Sequence, residues 1–183
     1  MTQFNKKLFF FIAIFLCLSV SLFAYEGRVG AEVEYAWYAN RNKTNLDAQG
    51  SVFSIVGASY FDDKNIFGLE YSFGYGLNTG NLQGYDLYDL RLLALFNFDM
   101  NHFAEIELGA GVVEDIYVFN NFVSNQFGLG FAISLIVKPI DELALNIGVD
   151  YVMPMISGYG DTVKDVSLDT HLFRYGLSVS YIY

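Results

Sequence analysis

The chain reads as an all-β protein: an eight-stranded antiparallel up-and-down transmembrane β-barrel preceded by a cleavable signal peptide. Three observations predict this. Large apolar residues alternate with small or charged ones through most of the chain, which is the period of a strand with two unlike faces. The alternating segments are joined by connections that are long and short in turn. After Ala24, no unbroken apolar run approaches the roughly 20 residues that a membrane helix requires.

The first segment is a leader. Lys6 and Lys7 precede the apolar run Leu8 to Phe23, which closes on Ala24, the pattern of a secretory signal peptide. Leu22 stands where a small residue is usual, so cleavage is placed only near Tyr25. The one cysteine, Cys17, lies inside this run after Leu16, which speaks against a lipoprotein. The mature chain then has no cysteine, which excludes disulfides and thiolate metal sites. Residues 1–24 are read as the leader and 25–183 as one domain of about 160 residues. Losing Lys6 and Lys7 takes the formal charge from −10 to −12. So acidic a domain is unsuited to nucleic acid or other polyanions.

The strands follow in order. Gly27 to Tyr38 sets Val29, Ala31, Val33, Tyr35 and Trp37 against Arg28, Gly30, Glu32, Glu34 and Ala36, and a polar loop, Ala39 to Gln49, comes next. Ser51 to Phe61 carries Val52, Phe53, Ile55 and Val56, which leaves its two faces unassigned. After the turn Asp62 to Asn65, Ile66 to Leu77 opposes Phe67, Leu69, Tyr71, Phe73, Tyr75 and Leu77 to Gly68, Glu70, Ser72, Gly74 and Gly76. Asn78 to Tyr85 is a loop. Asp86 to Phe98 is the fourth strand, with Asp89 and Arg91 sharing a face with Leu93 and Leu95.

A turn at Asp99 to His102 leads into Phe103 to Val113, where Glu105, Glu107, Gly109 and Gly111 share one face. The loop Glu114 to Ser124 precedes the sixth strand, Asn125 to Lys138, and the turn Pro139 to Glu142 precedes the seventh, Leu143 to Met153. The long loop Pro154 to Leu168 returns the chain to His171 to Tyr183, in which Phe173, Tyr175, Leu177, Val179, Tyr181 and Tyr183 alternate with Arg174, Gly176, Ser178 and Ser180.

Volume decides which face points outward. An eight-stranded barrel is only just wide enough inside for side chains, so six large residues from one strand and similar sets from most others cannot all point inward. The large set faces out, which is acceptable only in lipid. The inner set then carries Arg28, Arg91, Lys138 and Arg174 with Glu32, Glu34, Glu70, Asp89, Glu105, Glu107 and Asp150. Charges in a narrow membrane-embedded lumen require partners. Neighbouring strands place Arg91 between Glu70 and Glu107, and Arg174 beside Glu32 and Glu34. Salt-bridge networks around these two arginines are expected to fill the lumen; if a path exists instead, the acidic excess makes it cation-preferring.

The architecture, the lumen charges and the terminal strand ending on Tyr183 resemble the small eight-stranded outer-membrane barrels of the OmpX and OmpA membrane-domain kind, including the Ail-, Opa- and OmpW-like barrels. The resemblance covers about Gly27 to Tyr183 and includes no peptidoglycan-binding domain after it. It implies a bacterial outer-membrane location with long loops outside and short turns in the periplasm. It implies that Tyr175, Leu177, Val179, Tyr181 and Tyr183 form the signal read by the barrel-assembly machinery. It also implies surface recognition, membrane anchoring or small-solute passage as roles.

The third loop is unusual, because Ile116, Tyr117, Val118, Phe119 and Phe122 are apolar, and Met155 and Tyr159 of the fourth could join them. These residues either pack as extended strands or form a contact patch for an extracellular ligand. Ser167, Asp169 and His171 share one row and resemble a lipid-A deacylase arrangement, without an oxyanion site. The reading is a surface anchor or binding protein that is no enzyme and uses neither cofactor nor metal. A narrow cation-preferring channel is the alternative, and a lipid-modifying enzyme a lesser one.

Overall fold

The computed structural model describes residues 24–40, 49–78, 85–119, 123–158 and 170–183. Eight strands run in chain order, β1 (Glu26–Asn40), β2 (Gln49–Tyr60), β3 (Phe67–Asn78), β4 (Tyr85–Asn101), β5 (Ala104–Phe119), β6 (Val123–Ile140), β7 (Leu143–Gly158) and β8 (Thr170–Ile182). Each pairs antiparallel with the next, and β8 closes on β1 with Tyr35 opposite Tyr175. Closure leaves no open edge in the spanning sheet, the condition a sheet must meet in hydrocarbon. Apart from Ala24, the predicted leader lies outside the described residues.

The alternation sorts the side chains. Phe53, Ile55, Leu92, Phe96, Ile133, Ile147, Leu177 and Val179 stand outward and exposed. Aromatic rings gather towards the strand ends. On the loop side Phe173 contacts Tyr151 at 4.9 Å and Trp37 at 6.2 Å, and Tyr75 meets Tyr88 edge-on at 5.5 Å. On the turn side Phe67 meets Phe96 at 5.5 Å and Phe61 at 6.4 Å. These are the two interfacial girdles of a membrane-spanning barrel.

The interior is less uniformly small than the volume argument requires. On β2, Val52, Val56, Ala58 and Tyr60 point in, while Phe53 and Ile55 point out. Two apolar layers result: Ala36, Val52, Leu87, Val113, Tyr117, Val152 and Leu172 on the loop side, and Ala58, Tyr60, Leu93 and Leu95 deeper in the barrel. Facing glycines make the room. A Cβ on Gly76 would come within 2.8 Å of Leu87, and one on Gly130 within 2.6 Å of Val113.

Two strands continue where loops were expected. β5 runs on through Glu114 and Asp115 to Phe119, because Asp115 and Tyr117 keep the inward phase and have buried partners there. β7 passes through Pro154 to Gly158. The register shifts so that Gly128 faces Pro154 and Phe127 faces Ile156, leaving Met155 as an extra residue. Such a bulge is where a strand accepts proline.

The β2–β3 turn is built on Asp62. Its Oδ1 accepts from the amides of Lys64 (3.1 Å) and Ile66 (2.9 Å), and its Oδ2 from that of Phe67 (2.6 Å). Asn65 takes the left-handed conformation at φ 54°, which asparagine tolerates well, and its amide donates to Glu26 Oε2 at 2.6 Å. The amides of Ile66 and Phe67 hold the Asp62 carboxyl below its usual range. A carboxyl lowered in the folded state stabilises above its unfolded value, near 3.9, and loses that contribution as pH falls through the folded value. The stability difference between the unsubstituted protein and Asp62→Ala, measured by urea unfolding in lipid vesicles, should therefore be full at neutral pH and shrink as the carboxyl is protonated.

The lumen charge network as candidate functional site

The barrel is narrow enough for its arginines to cross it. Arg174 on β8 has Asp150 as register partner on β7 and Ala36 on β1, yet it reaches past both to the opposite wall. Its NH1 donates to Asp89 Oδ2 on β4 and its NH2 to Asp115 Oδ1 on β5, each at 2.7 Å. Glu34 Oε2 lies 3.8 Å from NH1. Arg174, Asp89 and Asp115 are each 0% exposed.

Arg91 on β4 crosses the other way. It donates to Glu32 Oε2 at 2.7 Å, lies 2.9 Å from Glu34 Oε1 and pairs with Asp150 on β7. Its Nε donates to Ser72 Oγ at 2.9 Å. Arg28 on β1 pairs with Glu107 on β5 at 2.5 Å, and Glu70 lies 4.0 Å away. Tyr60 donates to the other Glu107 oxygen at 2.5 Å, and the guanidinium stands 5.7 Å from the Tyr60 ring centre. At the turn end Lys138 pairs with Glu105, which also accepts from Asn97 at 2.7 Å.

All eleven charged residues expected in the lumen face it, but the pairing differs in part from the neighbouring-strand expectation. Arg91 does not hydrogen-bond Glu70 or Glu107, and Arg28 takes Glu107; Arg174 keeps the expected Glu34 at 3.8 Å but donates its hydrogen bonds to Asp89 and Asp115. Cross-strand reasoning fails because an arginine spans an eight-stranded lumen, so the nearest carboxylate is often on the far wall. Asp115 was missed because it follows Glu114 in a stretch that reads as a loop. The continuing alternation of Asp115 and Tyr117 was the available signal.

Between these pairs the lumen keeps a cavity of about 10 Å³, lined among others by Glu32, Glu34, Glu70, Arg91 and Asp150, room for about one water. Eight lumen carboxylates face three arginines and Lys138 among the described residues.

Among the described residues the loop-side apolar set divides between the two faces of the barrel wall. Tyr117 is 3% exposed and belongs to the inner apolar layer, a correction to its place in the patch; the extended β5 turns it inward. Ile116 and Val118 are half-buried on the outer face, and Met155 is 58% exposed at the bulge. Phe122 and Tyr159 lie outside the described residues, as do Ser167 and Asp169 and the side chains of Phe119 and His171. Tyr175, Leu177, Val179, Tyr181 and Tyr183 form one exposed outward row on the last strand.

A closed barrel with an apolar exterior and a charged interior is a membrane-spanning barrel. No family model matches the chain, and no curated protein does. Among solved structures it is similar to Neisserial surface protein A, with a TM-score of 0.67 at 18% identity over 85% of this chain and 96% of that one. It is similar to Ail of Yersinia pestis, with a TM-score of 0.54 at 14% identity over 87% and 99%. It is also similar to OprG of Pseudomonas aeruginosa, with a TM-score of 0.56 at 12% identity over 87% and 96%. At these identities the likeness is one of fold. That fold is the small eight-stranded outer-membrane β-barrel, and the apolar exterior makes this chain a membrane-spanning barrel of that kind.

Removing one partner of a buried pair leaves the others uncompensated, at a cost of about 3–5 kcal/mol. Arg174→Leu should lose stability of that order in urea unfolding followed by the fluorescence of Trp37, the one tryptophan. Lys138→Leu, at the partly exposed turn end, should lose far less.

Proposed function

We propose that the protein is a surface-exposed outer-membrane anchor that binds an extracellular ligand through its loops while its lumen is closed to solutes. The observation that supports this most is the fully buried crossing of the lumen by Arg174, Asp89 and Asp115, with the apolar layer of Leu87, Val113, Tyr117 and Leu172 on the loop side. With the lumen filled, the rim and loops are what a rigid scaffold offers for recognition. The fold alone does not choose a role.

The loop side favours a protein or lipid surface over a polyanion. Ile116, Val118 and Met155 stand on its outer face, the sequence adds Phe119, Phe122 and Tyr159 to the proposed contact set, and its rim carries Asp86 and Glu114. Ail, named an attachment invasion locus protein, has been solved with the heparin analogue sucrose octasulfate. Here the cations for such a ligand are confined to Arg41, Lys43 and Lys164 in the loop segments. The outward row ending at Tyr183 serves as the segment that the barrel-assembly machinery reads, and membrane lipid covers the belt.

The second reading, a narrow cation-preferring passage, draws on the excess of lumen carboxylates. The cavity volume of about 10 Å³ ranks it below the first. Catalysis has no part in the proposal, nor does a cofactor.

Expression of the chain on non-adherent bacteria should raise attachment to host-cell or matrix-coated surfaces. Replacing residues 159–169 and 120–122 by Gly-Ser linkers should return attachment to background while leaving the folded barrel intact on unheated gels. Attachment unchanged by the replacement would contradict loop recognition.

A further inference from the structure

We infer that Asp89 and Asp115 hold one proton between them, as an acid–carboxylate pair that latches the dry part of the lumen. The two are register partners on β4 and β5, both side chains are fully buried, and one guanidinium gathers them. Arg174 supplies one N–H to each. That leaves Asp89 Oδ1 and Asp115 Oδ2, both buried and neither with a hydrogen-bond partner.

Two buried carboxylates gathered on one guanidinium do not both stay ionised in a site shielded from water. One hydrogen held between the two carboxyl groups gives the orphaned oxygens a partner and leaves one negative charge against Arg174. Asp89 is the ionised member, because Arg91 Nε lies 3.3 Å from its Oδ1, whereas Arg174 is the one guanidinium that pairs with Asp115.

Among the described residues no further cation comes from the surrounding elements. β1 presents Glu34, 3.8 Å from Arg174. β4 presents Arg91, already engaged by Glu32, Glu34 and Asp150 of β1 and β7. β5 presents Tyr117, β6 presents Gln126 as the register partner of Asp115, and Gly74 of β3 packs against Asp89. Five carboxylates thus meet two guanidinium groups. Withdrawing the shared proton at alkaline pH adds a negative charge that the layer cannot hydrate, and loosens it. The pair stands on its own geometry, whether or not the loops bind a ligand or the lumen conducts.

The test is infrared spectroscopy of the refolded full chain in lipid vesicles at pH 7, with the aspartate carboxyl carbon isotopically labelled, beside Asp115→Asn and Asp89→Asn. The expected result is a protonated-aspartate carbonyl band that is lost in both variants. Asp115→Asn should refold normally, since its amide donates the hydrogen bond that the acid donated, and it should lack the alkaline destabilisation of the unsubstituted protein. Absence of the band, its persistence in the variants, or failure of Asp115→Asn to refold would each overturn the shared proton.

Discussion

The structure depends on three arginines that each cross the lumen. Arg174 ties β8 to β4 and β5, Arg91 ties β4 to β1 and β7, and Arg28 ties β1 to β5. A cylinder of hydrogen-bonded strands resists being pulled apart along its ladders, but nothing in the ladders opposes flattening. The crossing pairs supply that restraint from inside. They do so where water is scarce, so losing one partner costs far more than the pair adds relative to an apolar filling.

That restraint shapes the rest of the interior. Guanidinium groups long enough to span the barrel need glycines and serines on the walls beside them, and a Cβ on Gly176 would lie 3.0 Å from Glu32 Oε1. The same small residues admit the larger side chains of the two apolar layers. The outer face has no such limits and carries the bulky half of the alternation, where lipid replaces a core. One sequence period thus serves two solvents, and only the width of an eight-stranded barrel says which half goes where.

Much of this was legible from residues alone. The period of two placed all eight strands, and the alternation of long and short connections gave their up-and-down order. The lumen set from Arg28 to Arg174 followed from its phase. Two things were not legible. One was reach: Arg174 passes its register partner Asp150 in favour of the far wall, a fact of barrel diameter that no local pattern encodes. The other was extent: Glu114 with Asp115, and Pro154, are loop signals by composition, but a buried guanidinium and a bulge at Met155 override them. Tyr117 followed Asp115 inward for the same reason, so fewer of the loop-side apolar residues face outward than the sequence suggests.

With the lumen crossed by Arg174, Arg91 and Arg28, the proposed recognition role depends on whether those crossings close the barrel. The direct test is single-channel conductance of the refolded protein in a planar bilayer beside Arg91→Ala. The account predicts a silent unsubstituted protein and discrete steps once Arg91 is removed. Reproducible steps in the unsubstituted protein would contradict the closed lumen and turn its carboxylates into the lining of a cation path.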